Sequence, residues 1–335
     1  MKQKQRGWLK QSAVLLLIAM LLVLSACGGN HNSNNGAAAG EASASPTAES
    51  NASAQPSSDP AQTAYPLTVK DATGTELTFD AAPQRVVTLL PSETEIVYAI
   101  GSGDEVAGVD AYSNYPPEAA DKPKIGDMTT NIEAVAALNP DLVLASSTMN
   151  TDAVQKLRDL GLTVYASDPK TYDAVIDKIK VIGQIMNKQA EADQIAKHMQ
   201  EVKQQVADKV KGAAPVKTYL EFSEGYTVGK GEFLDELLTI AGGQNTAGDQ
   251  SGWFEVDAEK IIQENPAVIV YPALQDANPN PILEGIKKRA GWDAIDAVKN
   301  NRIVEVSDDP LVRVGPRLAD GLLELAKAIH PELFS

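Results

Sequence analysis

From Arg85 onward, short apolar runs alternate with longer stretches in which apolar residues recur every three or four positions. Val86-Val87-Thr88-Leu89, Val106-Ala107-Gly108-Val109, Leu142-Val143-Leu144 and Thr163-Val164-Tyr165 predict buried strands. Residues 92–100, 132–138 and 152–160 carry the helical period between them. A second series follows, with strands at 217–221, 267–271 and 302–306 and helices at 233–241, 258–264 and 318–329. Ahead of both, Leu67-Thr68-Val69 and Leu77-Thr78-Phe79 flank the turn Asp71-Ala72-Thr73-Gly74, which predicts a hairpin. Alternation of this kind predicts two α/β lobes, each with a mostly parallel sheet.

The two series are separated by residues 172–211, which contain no proline. Within them Ile195, Met199, Val202, Val206 and Val210 step by four and three along one helical face. A helix over 188–210 would be about 35 Å long at ~1.5 Å per residue. A lone coiled-coil strand would show the same stripe, but lobes on both sides favour a rigid spine. The predicted organisation is a first lobe at 65–171, a helical region at 172–211 and a second lobe at 212–335.

An internal repeat supports two lobes. Asn131-Ile132-Glu133, a helical run and Asn139-Pro140 before a strand recur as Asp257-Ala258-Glu259, a helical run and Asn265-Pro266 before a strand. In each copy a capping side chain opens the helix and a glutamate stands in its first turn, where any helix favours an acid.

The N-terminal segment sets the compartment. Lys2, Lys4, Arg6 and Lys10 precede an apolar stretch at 13–24, too short to span a membrane as a mature helix. It ends in Leu24-Ser25-Ala26-Cys27, and Cys27 is the only cysteine. This resembles a lipobox, with 1–26 removed as a signal peptide and Cys27 lipidated at the outer face of the membrane. An ordinary secretory signal is the alternative, and it also places the protein outside the cytoplasm. Residues 28–64 are almost all small or polar and predict a disordered tether. With a single cysteine no intramolecular disulfide can form. Loss of the four leader cations moves the net charge from −16 to −20, which disfavours nucleic acid and anionic lipid as partners.

Arg85-Val86-Val87-Thr88-Leu89-Leu90-Pro91-Ser92, Tyr112-Ser113-Asn114-Tyr115-Pro116-Pro117 and Val312-Arg313-Val314-Gly315-Pro316-Arg317-Leu318 stand with the two repeats in a combination that resembles a known family. It is that of the periplasmic binding proteins for cobalamin and ferric siderophores, over about residues 83–333, the cobalamin branch being nearest. The resemblance implies two Rossmann-like α/β lobes joined by one long helix, a metal chelate held in the cleft, and delivery to an ABC importer with a permease dimer and cytoplasmic ATPases. It puts Tyr112 against the ligand from the first lobe, Asp309 and Arg313 from the second, and Trp253 at the cleft edge. It assigns Glu133 and Glu259 to permease docking. The ligand would bring its own metal, no resident cofactor is implied, and the protein would act as a monomer.

Other residues carry a weaker signal. Ser92 and Glu95 have the spacing of a capping box. Tyr115 shares the Pro-rich loop of Tyr112, and Tyr226 follows Gly225; either can contact ligand or pack. Arg317 beside Pro316 reads as structural. His31, His198 and His330 fall in no cleft loop, which argues against a bare transition-metal receptor. Haem remains an alternative ligand, with Tyr112 or Met128 as axial group. A sensing lipoprotein is a second alternative. A hydrolase is disfavoured because no nucleophile–base arrangement is visible.

Overall fold

The computed structural model describes residues 62–127, 129–274 and 277–335. The signal peptide, Cys27, the tether up to residue 61 and Met128 lie outside the described residues.

Strands β1 (Leu67–Lys70) and β2 (Glu76–Phe79) pair antiparallel across the predicted turn. The first lobe then runs β3 (Val86–Thr88), α1 (Pro91–Ala99), β4 (Val106–Val109), α2 (Ile132–Ala137), β5 (Leu142–Ser146), α3 (Thr151–Asp159) and β6 (Val164–Ser167). Its sheet has the order β4-β3-β5-β6, with every pairing parallel. Strands β3, β5 and β6 are buried along their whole length, as a sheet covered on both faces requires.

Helices α4 (Tyr172–Ile185) and α5 (Gln189–Val210) lead to the second lobe. This runs β7 (Val216–Leu220), β8 (Tyr226–Val228), α6 (Phe233–Ile240), β9 (Gly243–Asn245), β10 (Trp253–Glu255), α7 (Ala258–Glu264) and β11 (Val268–Ala273). It closes with α8 (Pro281–Lys288), α9 (Asp296–Lys299), β12 (Ile303–Ser307), α10 (Asp308–Val312) and α11 (Leu318–Ile329). Its sheet, β12-β11-β7-β9, is again parallel. The antiparallel pair β8/β10 stands apart and was not predicted, because strands of three residues are too short to show a period.

The predicted helical region is thus two helices, broken where Asn187 takes a left-handed conformation (φ 55°) that asparagine tolerates. Helix α5 has 22 residues and buries Ala192, Ala196, Met199, Val202 and Val206. One hydrophobic cluster runs unbroken from Val86 and Ile96 through Ile179 and Met199 to Leu237 and Leu322. The outer faces of the two sheets hold separate, smaller cores around Val143 and Leu157 and around Tyr219 and Trp292. Because the main core is shared, a large hinge motion would have to tear close-packed side chains apart. Ordered contacts to α4 also reach into the predicted tether. Thr63, placed in the tether, donates from its hydroxyl to the Gln184 carbonyl at 2.7 Å, and Tyr65 donates to that of Ile185 at 2.7 Å.

Candidate functional site

Both sheets point the C-terminal ends of their strands at one cleft, the edge where open α/β sheets hold ligands. Leu90 follows β3, Asp110 follows β4, Ser146 ends β5 and Asp168 follows β6; Ala273 and Asp308 stand at the ends of β11 and β12. Three adjoining cavities fill the cleft, of about 630, 260 and 380 Å³. The first two share Tyr112, Asp309 and Arg313; the last two share Leu90, Pro91, Met149 and Val312. Trp253 and Phe233 line the far end. Tyr112 (52% exposed), Met149 (61%), Trp253 (46%) and Val312 (36%) would be poorly placed in water, yet all four line this groove. Exposed apolar surface gathered in a concavity marks a binding site.

The predicted capping box does not form. The N-cap position of α1 falls at Leu90, and Ser92 donates to Glu93 at 2.6 Å. Glu95, 2% exposed, turns instead to the second lobe. It accepts from Arg313 at 3.0 Å and from Arg317 at 2.9 and 2.6 Å. Arg313 also donates to Asn114 at 2.8 Å and stands 2.9 Å from Asp309. The Arg317 guanidinium lies 4.0 Å from the centroid of the Tyr115 ring. Arg313 therefore lines the cleft as predicted, but its donors are committed to an interlobe network. Arg317 belongs to that network too, and Tyr115 serves as its platform. Tyr115 and Tyr226 line none of the three cavities.

A second buried pair lies at the Trp253 end. Glu93 and Lys178, with side chains 2% and 3% exposed, meet at 2.9 Å. Burial pushes the Glu93 carboxyl up, but the Lys178 charge and the hydrogen bonds from Ser92 and Lys178 outweigh it and hold the group below its ordinary value. Burial raises Asp110, against hydrogen bonds from Ser113 and the Tyr112 amide. Burial also raises Asp308, helped by the neighbouring Asp309 charge. Seven carboxylates line the three cavities, against four cations of which Arg313 and Arg317 are already paired with Glu95.

For Lys178 the sequence does carry a signal. It interrupts the apolar stripe Val175, Ile179 and Ile182 of α4, where a cation is buried only if paired. Glu93, Met149 and Val312 show no such signal.

Glu133 and Glu259 are both exposed in the first turns of α2 and α7. Asn131 accepts from the Ala134 amide at 3.0 Å, and Asp257 from those of Glu259 and Lys260 at 3.1 Å. Asn139 and Asn265 close the two units in the same left-handed conformation, with φ of 45° and 47°. The repeat is therefore one of geometry as well as letters. Among the described residues, no three His, Cys, Asp or Glu side chains converge on a metal position; His198 is exposed on α5 and His330 bonds the Gly242 carbonyl.

Residues 86–310 match the family described as periplasmic binding protein. An uncharacterised ABC transporter substrate-binding lipoprotein, YvrC of Bacillus subtilis, is 36% identical over 278 residues, which cover 80% of this chain and 87% of that protein. A cobalamin-binding protein of Halobacterium salinarum is 30% identical over 273 residues, 79% of this chain and 74% of its own. Among solved structures, the periplasmic vitamin B12 binding protein BtuF of Vibrio cholerae superposes with a TM-score of 0.65 at 29% identity, covering 74% of this chain and 97% of that one.

Proposed function

We propose, from the premise that the chain belongs to the periplasmic binding protein family, that it is the substrate-binding lipoprotein of an ABC importer and captures a metal chelate between its lobes. The observation that carries this reading is the cleft itself, charged at the Asp309–Arg313 end, apolar from Leu90 and Met149 to Phe233 and Trp253, and large enough for a bulky coordination compound. The protein supplies shape, stacking surface and a few polar groups; the ligand supplies its own metal coordination. Delivery follows from Glu133 and Glu259, equivalent exposed acids on matched lobes, which suit basic groups on a two-fold permease. The lipobox-like segment ending in Cys27 and the lipoprotein relative support a lipid anchor. The role is binding, not catalysis.

Charge ranks the ligands. With seven carboxylates and four cations around the cleft, an anionic catecholate chelate or the propionates of haem would enter against repulsion. A corrinoid, as the similar cobalamin-binding protein is named for, or an uncharged or cationic ferric hydroxamate meets no such barrier.

Titration with cyanocobalamin, ferrioxamine B and haemin tests this. Processing leaves Trp253 and Trp292, and only Trp253 faces the cleft, so quenching that disappears in Trp253→Phe locates the ligand. Haemin binding far more tightly than the other two would overturn the charge argument, and binding of none would overturn chelate capture.

A further inference from the structure

The cavity beneath Trp253 has a chemical preference that family membership leaves open. Lys178 lines it with a side chain only 3% exposed. An ammonium carries three N–H donors. Among the described residues only Glu93 accepts one of them, at 2.9 Å. Glu93, by contrast, is well supplied, since it also accepts from Ser92 at 2.6 Å and from Ser167 at 3.3 Å. The pair thus cancels the charge of Lys178 without using up its donors.

A donor of that kind selects an uncharged acceptor. Besides Glu93, the same cavity is lined by Asp168 and Glu232, with Lys170 as the only other cation, and Lys170 is already 3.0 Å from Asp168. A ligand carboxylate placed beside Lys178 would have three carboxylates around it and no unpaired cation to meet it. A carbonyl oxygen takes the hydrogen bond and brings no charge.

We propose that Lys178 donates a hydrogen bond to an uncharged amide carbonyl of the bound chelate, and that this contact makes the cleft prefer amide-bearing chelates over their carboxylate analogues. The assignment rests on chelate capture as the function of the cleft.

The experiment titrates the purified protein with cyanocobalamin, whose corrin rim carries amide arms, and with its monocarboxylic acids, each of which has one amide replaced by a carboxylate. Ferrioxamine B, which has backbone amides, is the second parent chelate. Lys178→Met alone would strand Glu93, so the variant is Glu93→Gln/Lys178→Met, checked for cooperative melting. Whichever parent chelate binds should bind the variant about tenfold more weakly. At least one monoacid should bind the unsubstituted protein about tenfold more weakly than cyanocobalamin and lose that handicap in the variant. Equal affinity of the two proteins for the parent chelate overturns the assignment and leaves chelate capture standing. If the variant does not fold, monoacids that all bind the unsubstituted protein as tightly as the parent overturn it instead. Binding of neither chelate by the unsubstituted protein overturns chelate capture, and the assignment with it.

Discussion

Glu95 on α1 of the first lobe accepts two hydrogen bonds from Arg317 of the second, at 2.9 and 2.6 Å, with its carboxylate almost wholly buried. Arg313 completes the arrangement from the same lobe as Arg317. One acid therefore ties the two halves together through arginines that line the cleft. The shared core behind it resists a hinge.

Removing the latch acid should loosen the pair of lobes. Glu95→Gln leaves two guanidinium groups close together with only Asp309 beside them to balance the charge, at a cost of about 3 kcal/mol. Urea unfolding should show that loss, and small-angle scattering should show a larger radius of gyration than the unsubstituted protein has. An unchanged scattering profile would mean that the core alone sets the angle between the lobes.

Ligand should change the overall dimensions little. The lobes already touch through Glu95, and one core continues through α5. Scattering before and after saturation should coincide, and marked compaction would contradict this.

The buried pair at the Trp253 end should show strong coupling. Lys178→Met or Glu93→Gln alone leaves a stranded partner and should cost about 3–5 kcal/mol, whereas the double variant should cost much less than the sum. A double-mutant cycle in urea measures the difference, and additive costs would refute the coupling.

Acid should act through the same pair. Glu93 is held below its ordinary value of 4.5, so the folded state binds its proton less readily than the unfolded chain does. Its stabilising contribution is therefore complete above that value and is lost as pH falls through the lower, folded one. Asp110, raised by burial, works in the opposite sense and favours the folded state at low pH. The stability advantage of the unsubstituted protein over Glu93→Gln/Lys178→Met should shrink between about pH 5 and pH 3. A gap that stays constant over this range would rule out Glu93 as the titrating group.

Docking should separate from binding. Reversing both Glu133 and Glu259 to Lys should abolish uptake of the chelate by cells while leaving its affinity for the purified protein unchanged. Uptake that survives the double reversal would favour a sensing role.

Two kinds of information meet in this chain. Local pattern was enough for the βα alternation, the spine and the caps at Asn131 and Asp257, because strands, helices and caps are decided by neighbours a few residues away. Helices 258–264 and 318–329 agree with the structure to the residue. The family motifs likewise placed Tyr112, Asp309 and Trp253 at the cleft. What pattern could not supply was the partner of Glu95. A Ser-x-x-Glu spacing is a complete local explanation for that acid, and the partners that displace it lie 218 and 222 residues away. The same holds for Glu93 with Lys178, 85 residues apart, and for Met149 and Val312, which are ordinary apolar letters until two lobes face each other. Sequence determined which pieces form and what they are made of. Tertiary structure decided which charges are spent on one another and which donors are left for a ligand, because burial and pairing depend on distance in space and not along the chain.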